Sequence, residues 1–69
     1  MKILAMIGCG GIGEYHLSHF LQFKDIELAG FCDLIPERAQ AFAEKAGSGR
    51  VFTDYRAMYD EIQPDMVFL

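Results

Sequence analysis

Apolar residues along this chain fall into two alternating rhythms. Four short, mostly apolar runs, Met1–Ile7, Glu27–Cys32 (ELAGFC), Arg50–Phe52 and Asp65–Leu69 (DMVFL), are separated by longer stretches in which apolar positions recur every three or four residues. The runs predict strands, and the first, apolar on both faces, predicts a strand covered on both sides as in a parallel sheet. The spaced stretches predict helices. From Gly11 to Phe23, residues Ile12, Tyr15, His16, His19, Phe20 and Phe23 stand at i, i+3, i+4, i+7, i+8 and i+11, one helical face expected to turn inward. Pro36 opens a second helix, PERAQAFAEKAG, with Ala39, Phe42, Ala43 and Ala46 on one side and Gly47 as its stop. Thr53 or Asp54 caps a third, with Tyr55, Met58, Tyr59 and Ile62 inward and Pro64 ending it.

The resulting order is β-α-β-α-β-α-β. Helices alternating with short strands imply a parallel sheet with right-handed crossovers, so the fold class is α/β. The expected strand order is 3-2-1-4 with helices on both faces, a partial Rossmann fold: one mononucleotide-binding half plus the strand that begins the other. No repeat, linker or low-complexity segment interrupts it. The last strand stops on Val-Phe-Leu, an apolar end that native sheets avoid exposing. Ligands of such sheets lie beyond the carboxyl ends of the strands. The chain is therefore expected to be the amino-terminal piece of a longer protein whose next loop helps complete the site.

The first strand breaks into glycines. Gly8, Gly10 and Gly13 in IGCGGIG stand at G-x-G-x-x-G spacing between a strand and a helix, the context a dinucleotide fingerprint requires. Gly8 is expected to turn the chain, Gly10 to let a pyrophosphate approach the backbone, and Gly13 to let the helix pack closely. The helix then offers unpaired N–H groups and the positive end of its dipole to phosphates. No G-K-[ST] follows, which excludes a P-loop. Asp33, 20 residues beyond Gly13, is the carboxylate expected on the adenosine ribose hydroxyls. A carboxylate there repels a 2′-phosphate, so NAD is preferred to NADP. Arg38 either reaches the adenosine side, stacking or pairing with a phosphate, or stays solvated.

Composition narrows the remaining chemistry. The 69 residues are 52% hydrophobic, too apolar for a disordered chain, and carry a net charge of −4 with no basic cluster. Nucleic acid and anionic membranes are thereby poor partners. No apolar run approaches the roughly 18 residues of a spanning helix. Cys9 and Cys32 fit neither a disulfide scaffold nor a zinc pattern, and are expected as reduced thiols in a cytoplasmic protein. Cys9 reads as a small turn residue rather than a redox switch. His16 and His19 share a helix face without a third ligand and are expected to pack on the sheet, not to bind metal. No nucleophile with its base is present.

Taken together, IGCGGIGEYH (with His16 three residues past the glycine motif), ELAGFCD, PERAQAFAEKAG, VFTDYRAMYDE and PDMVFL resemble the amino-terminal domain of the glucose–fructose oxidoreductase / inositol dehydrogenase / MocA family. The likeness covers essentially the whole chain. It rests on the order and spacing of the five blocks, since the glycine motif alone is generic. It implies a Rossmann domain followed by an α+β domain whose open sheet forms a substrate pocket and an oligomer interface, hence a homo-oligomer when full length. It also implies oxidation or reduction of sugars, polyols and related carbonyl compounds with NAD or NADP. Gly8, Gly10 and Gly13 match the family's phosphate turn, with Gly11 and Ile12 in its backbone. Asp33 matches the ribose-binding acid and Arg38 the frequent basic residue after it. The family's E-K-P lysine and catalytic histidine or aspartate lie further along, so no catalytic residue is assigned. Three other readings stay open: a non-catalytic dinucleotide sensor, an amino-acid dehydrogenase of the aspartate type, and an S-adenosylmethionine-dependent transferase.

Overall fold

The computed structural model describes residues 1–69, the side chain of Ile12 excepted. Seven elements alternate along it: β1 (Lys2–Ile7), α1 (Gly11–Phe20), β2 (Ile26–Cys32), α2 (Pro36–Ala46), β3 (Arg50–Phe52), α3 (Tyr55–Ile62) and β4 (Met66–Phe68). All strand pairs are parallel and the sheet order is β3-β2-β1-β4, as the pattern predicts. Helices cover both faces. Leu4, Met6, Leu28 and Phe31 meet Leu17 of α1 and Ala39, Phe42 and Ala43 of α2 on one side. Ala5, Cys32 and Phe52 meet Met58 of α3 on the other. Phe31, Met6, Leu17 and Met58 are fully buried, each contributing about 1.5–3 kcal/mol by leaving water.

A register shift in β2 sets how these faces are filled. Leu4 pairs with Leu28 but Ala5 pairs with Gly30, so Ala29 is an extra residue in the ladder. Side chains alternate along a regular strand, which would send Leu28 and Phe31 to opposite faces. The bulge restores parity, and both enter the α1/α2 core. Gly30 then faces α3, where a Cβ would lie 3.1 Å from Met58 Sδ and 3.2 Å from Ile62 Cγ1. The missing side chain lets α3 lie close on the sheet.

Helix ends follow the local chemistry. Gly47 ends α2 in the left-handed region at φ 76°, its N–H donating to Ala43 and Glu44 carbonyls. Of the two candidate caps for α3, Asp54 is the one that acts, accepting from Arg56 N at 2.9 Å. The first helix is shorter than predicted, ending at Phe20 rather than Phe23. The Gln22 and Phe23 N–H groups donate to His19 and Phe20 carbonyls at 3.1 Å, bonds three residues back that tighten the exit into a turn.

Two predicted faces need correction. In α1 the inward line is Gly13 and Leu17, flanked by half-buried His16 and Phe20. Tyr15 (63% exposed), His19 and Phe23 face out. The cause is Gly13: Phe42 of α2 would lie 3.3 Å from a Cβ there, so the bare backbone is the contact surface and fixes the helix rotation. In α3, Met58 is buried and Ile62 half-buried, whereas Tyr55 and Tyr59 lie outside on one another at 5.8 Å between rings.

Candidate functional site

β1 delivers the chain to Gly8 at the carboxyl edge of the sheet. Gly8 takes φ 86°, a left-handed conformation that favours glycine, and its N–H donates to the Cys32 carbonyl at 2.8 Å. The end of β1 is thereby fastened to the end of β2. Gly10 precedes α1 in extended conformation with no side chain capping the helix, and its carbonyl accepts from Glu14 N at 2.9 Å. The backbone N–H groups of the first turn thus have no side-chain acceptor in front of them.

The three motif glycines are bare for different reasons. A Cβ on Gly13 would stand 2.8 Å from the Gly8 carbonyl oxygen, so α1 lies against the turn that precedes it. A Cβ on Gly10 would point into open space, its nearest neighbour Arg38 Nη1 at 4.0 Å. Nothing lies within 4 Å of a Cβ on Gly11. The Ile12 side chain lies outside the described residues; its backbone is in α1.

Asp33 follows β2 and faces the same turn. Its Oδ2 accepts from Cys9 N at 2.7 Å and its Oδ1 from Ile35 N at 2.8 Å. These two N–H groups, the Ile35 bond first, hold the carboxyl below its ordinary pKa against an opposing burial effect, and the Arg38 guanidinium adds a lesser contribution. Asp33 is therefore ionised at neutral pH. Each oxygen keeps lone-pair capacity for a further donor. Arg38, in the first turn of α2, is exposed and brings its guanidinium over Gly10. The glycine turn, the carboxylate and one cation thus converge from three segments.

Two adjoining hollows run across this edge. One, about 440 Å³, is lined by Ile7, Gly8, Gly10, Gly11, Gly13, Phe68 and Leu69. The other, about 450 Å³, is lined by Ile7, Gly8, Cys32, Asp33, Leu34, Thr53 and Tyr55. Ile7 and Gly8 line both, so the two hollows adjoin at the end of β1. Leu34 (90% exposed) and Tyr55 (50% exposed) are apolar walls here; the sequence pattern did not single out Leu34 and placed Tyr55 on the inward face of α3. One signal was present: Leu34 and Ile35 are large apolar residues directly after the acid, where a polar exit loop is usual.

The cysteines lie on either side of the sheet. Cys9 packs with the α1/α2 core and Cys32 with the α3 core, and both are free and buried. The Cys9 thiol donates to the Cys32 carbonyl at 3.6 Å. Burial first, then the Asp33 carboxylate and Cys32, push the Cys9 thiol up to about 11, so no thiolate nucleophile forms at neutral pH. Burial, with Asp54 and Asp33, also raises the Cys32 thiol. His16 lies 4.5 Å from the Phe68 ring at a tilt of 45°, whereas His19 meets Tyr15 on the exposed side, against the expectation that both pack on the sheet. Among the described residues no helix is long and apolar enough to cross a membrane.

Residues 2–69 match the model of an oxidoreductase family with an NAD-binding Rossmann fold, GFO_IDH_MocA. The chain is 38% identical over 65 residues to a D-glucoside 3-dehydrogenase of Escherichia coli strain K12, a match covering 93% of this chain and 18% of the relative. It is 33% identical over 63 residues to a D-apiose dehydrogenase of Paraburkholderia graminis, covering 91% of this chain and 17% of the relative. The chain thus spans under a fifth of the length of these curated relatives. A crystal structure assigned as a myo-inositol dehydrogenase of Sinorhizobium meliloti 1021 superposes with TM-score 0.83 at 24% identity, over 97% of this chain and 20% of that one, and shows the same fold.

Proposed function

This chain belongs to the oxidoreductase family with the NAD-binding Rossmann fold, and we propose that residues 1–69 are the amino-terminal part of the dinucleotide-binding domain of an NAD-dependent dehydrogenase. One observation carries the reading: an uncapped glycine turn and the ionised Asp33 bonded to it line adjoining hollows at the carboxyl edge of a parallel sheet. In this reading Gly8, Gly10, Gly11, Ile12 and Gly13 hold the pyrophosphate through backbone N–H groups and close approach. Asp33 takes the adenosine ribose hydroxyls, Arg38 lies by the phosphates over Gly10, and Leu34 and Tyr55 flank the adenine. The open space above Gly10 fits the group, since a side chain there would occupy the place of a phosphate. NAD supplies the hydride-accepting nicotinamide when bound.

The substrate is a sugar, polyol or related alcohol or carbonyl compound. The names of the D-glucoside and D-apiose dehydrogenases support that class. Substrate-binding and catalytic residues belong to a further domain. NAD is the cofactor rather than NADP because the Asp33 carboxylate would meet a 2′-phosphate with like charge. Buried free thiols suit a reducing compartment, and we assign the cytoplasm. Calorimetric titration of the intact protein with each nucleotide tests the reading. NAD should bind at least about tenfold more tightly, a difference of about 1.4 kcal/mol. Binding of neither nucleotide overturns the function, and equal or tighter NADP overturns the cofactor assignment.

A further inference from the structure

The Asp33 carboxylate is already engaged by protein. Its Oδ2 takes the Cys9 N–H at 2.7 Å, across 24 residues of sequence, and its Oδ1 takes the Ile35 N–H at 2.8 Å. Cys9 is the second residue of the glycine turn, between Gly8 in its left-handed conformation and Gly10 before the helix. Its N–H therefore points away from the groove's phosphate end and toward β2. The Cys9 side chain supports the same placement: it is buried, with its thiol on the Cys32 carbonyl. The Gly8 N–H reaches that same carbonyl at 2.8 Å. Three bonds thus fasten Gly8 and Cys9 to Cys32 and Asp33, and only the one that the Asp33 carboxylate accepts is charged. Hydrogen bonds to charged groups are the strong class, and one that fixes a turn of glycines restricts the residues with the most conformational freedom to lose.

We propose that Asp33 is a positioning residue for the phosphate turn: it holds the turn in its binding shape through Cys9 N–H before any nucleotide arrives. This rests on the dinucleotide reading above and adds a role that ribose recognition does not contain. A residue that only gripped ribose would leave the empty turn unaffected. A residue that pegs the turn lowers the ordering cost for anything the turn binds, with or without ribose hydroxyls. Part of the affinity credited to a ribose contact is then preorganisation of a site some residues away.

Two readouts on Asp33→Ala in the intact protein test this, with Ala5 and Phe31 amides as internal controls for an unchanged sheet. The first is amide hydrogen exchange resolved by NMR without nucleotide, where Cys9 should lose at least about tenfold in protection. The second is affinity for NAD and for its 2′,3′-dideoxyadenosine analogue, which offers the acid no hydroxyl. The variant should weaken the analogue by about tenfold as well as NAD. Asp33→Asn, whose single carbonyl oxygen can serve only one of the two N–H groups, should fall between wild type and the alanine variant in summed protection at Cys9 and Ile35. It replaces the alanine variant if the control amides lose protection. Unchanged exchange at Cys9, or a loss confined to the nucleotide that carries hydroxyls, overturns the proposal. If the wild-type protein binds neither nucleotide, the dinucleotide reading fails, and with it the proposed purpose of the peg, while the exchange measurement still decides whether the peg exists.

Discussion

Gly13→Ala and Gly10→Ala should fail in opposite ways. The methyl introduced by Gly13→Ala would stand 2.8 Å from the Gly8 oxygen, where ordinary contact begins at 3.4 Å, so one of the two must move about 0.6 Å. The oxygen has little room to retreat. Gly8 is fixed by its φ of 86° and by its N–H bond to Cys32, and Phe42 blocks the other side of the methyl at 3.3 Å. Forcing a methyl into a packed contact costs about 1–3 kcal/mol. Alanine returns up to about 1 kcal/mol of helix propensity over glycine, less in the first turn than inside the helix. The net expectation is a loss of about 1–2 kcal/mol. Gly10 sits at φ −97°, which any residue adopts, and a methyl there would meet only Arg38 at 4.0 Å. Gly10→Ala should therefore leave stability within about 0.5 kcal/mol of wild type. Its methyl occupies the space assigned to phosphate, so NAD affinity should fall at least about tenfold. Urea unfolding at constant m-value gives the first quantity and calorimetry the second. A Gly13→Ala protein as stable as wild type, or a Gly10→Ala protein that binds NAD normally, refutes the division of labour.

Two further outcomes follow from the core and the thiols. Phe31→Ala should cost about 3–5 kcal/mol in urea unfolding, because Phe31 is fully buried and packs against both Phe42 and the chain at Gly49; a loss under about 1 kcal/mol would mean the site collapses around the gap. Cys9 should resist iodoacetamide at about pH 8, below the ordinary thiol pKa, in the folded protein and react once urea unfolds it. Its folded pKa of about 11 lies above the ordinary value of 9.0, so the native thiol stays protonated and the stability it contributes falls as pH rises from 9.0 toward 11. Equal labelling in both states would refute the burial argument.

The architecture was legible because sheet order, helix number and turn chemistry are written in local pattern. Strand runs, Pro36, Gly47 and the Asp54 cap each act within a few residues of themselves. The faces of α1 were not legible for a definite reason. Periodicity counts large apolar side chains, and there one inward position, Gly13, has none, while the other, Leu17, falls outside the stripe that the aromatic and histidine residues trace. Tyr15, His19 and Phe23 carried the pattern outward instead. The Ala29 bulge was hidden likewise, since ELAGFC reads as a regular strand until pairing with β1 fixes its register. Asp33 was found at its fingerprint distance, but its bond to Cys9 spans 24 residues and leaves no periodic trace.

That bond changes how the glycine motif is to be weighed. Gly8 is required by backbone conformation and Gly13 by packing against Gly8 itself. Both would be required in a protein that folds this way and binds nothing. Part of what Asp33 does is internal as well, since both oxygens already accept from backbone. The features the fold does not need are the open space over Gly10 and the exposed Leu34 beside the acid, whereas the uncapped start of α1 is shared with α2. A large apolar side chain left in water forgoes the stability that a structural role would have recovered by burial. In the proposed reading these two, and not the count of glycines, support a bound ligand. The two adjoining hollows run past both, and in the proposed reading pyrophosphate, ribose and adenine would lie in turn from Gly10 to Leu34 and Tyr55.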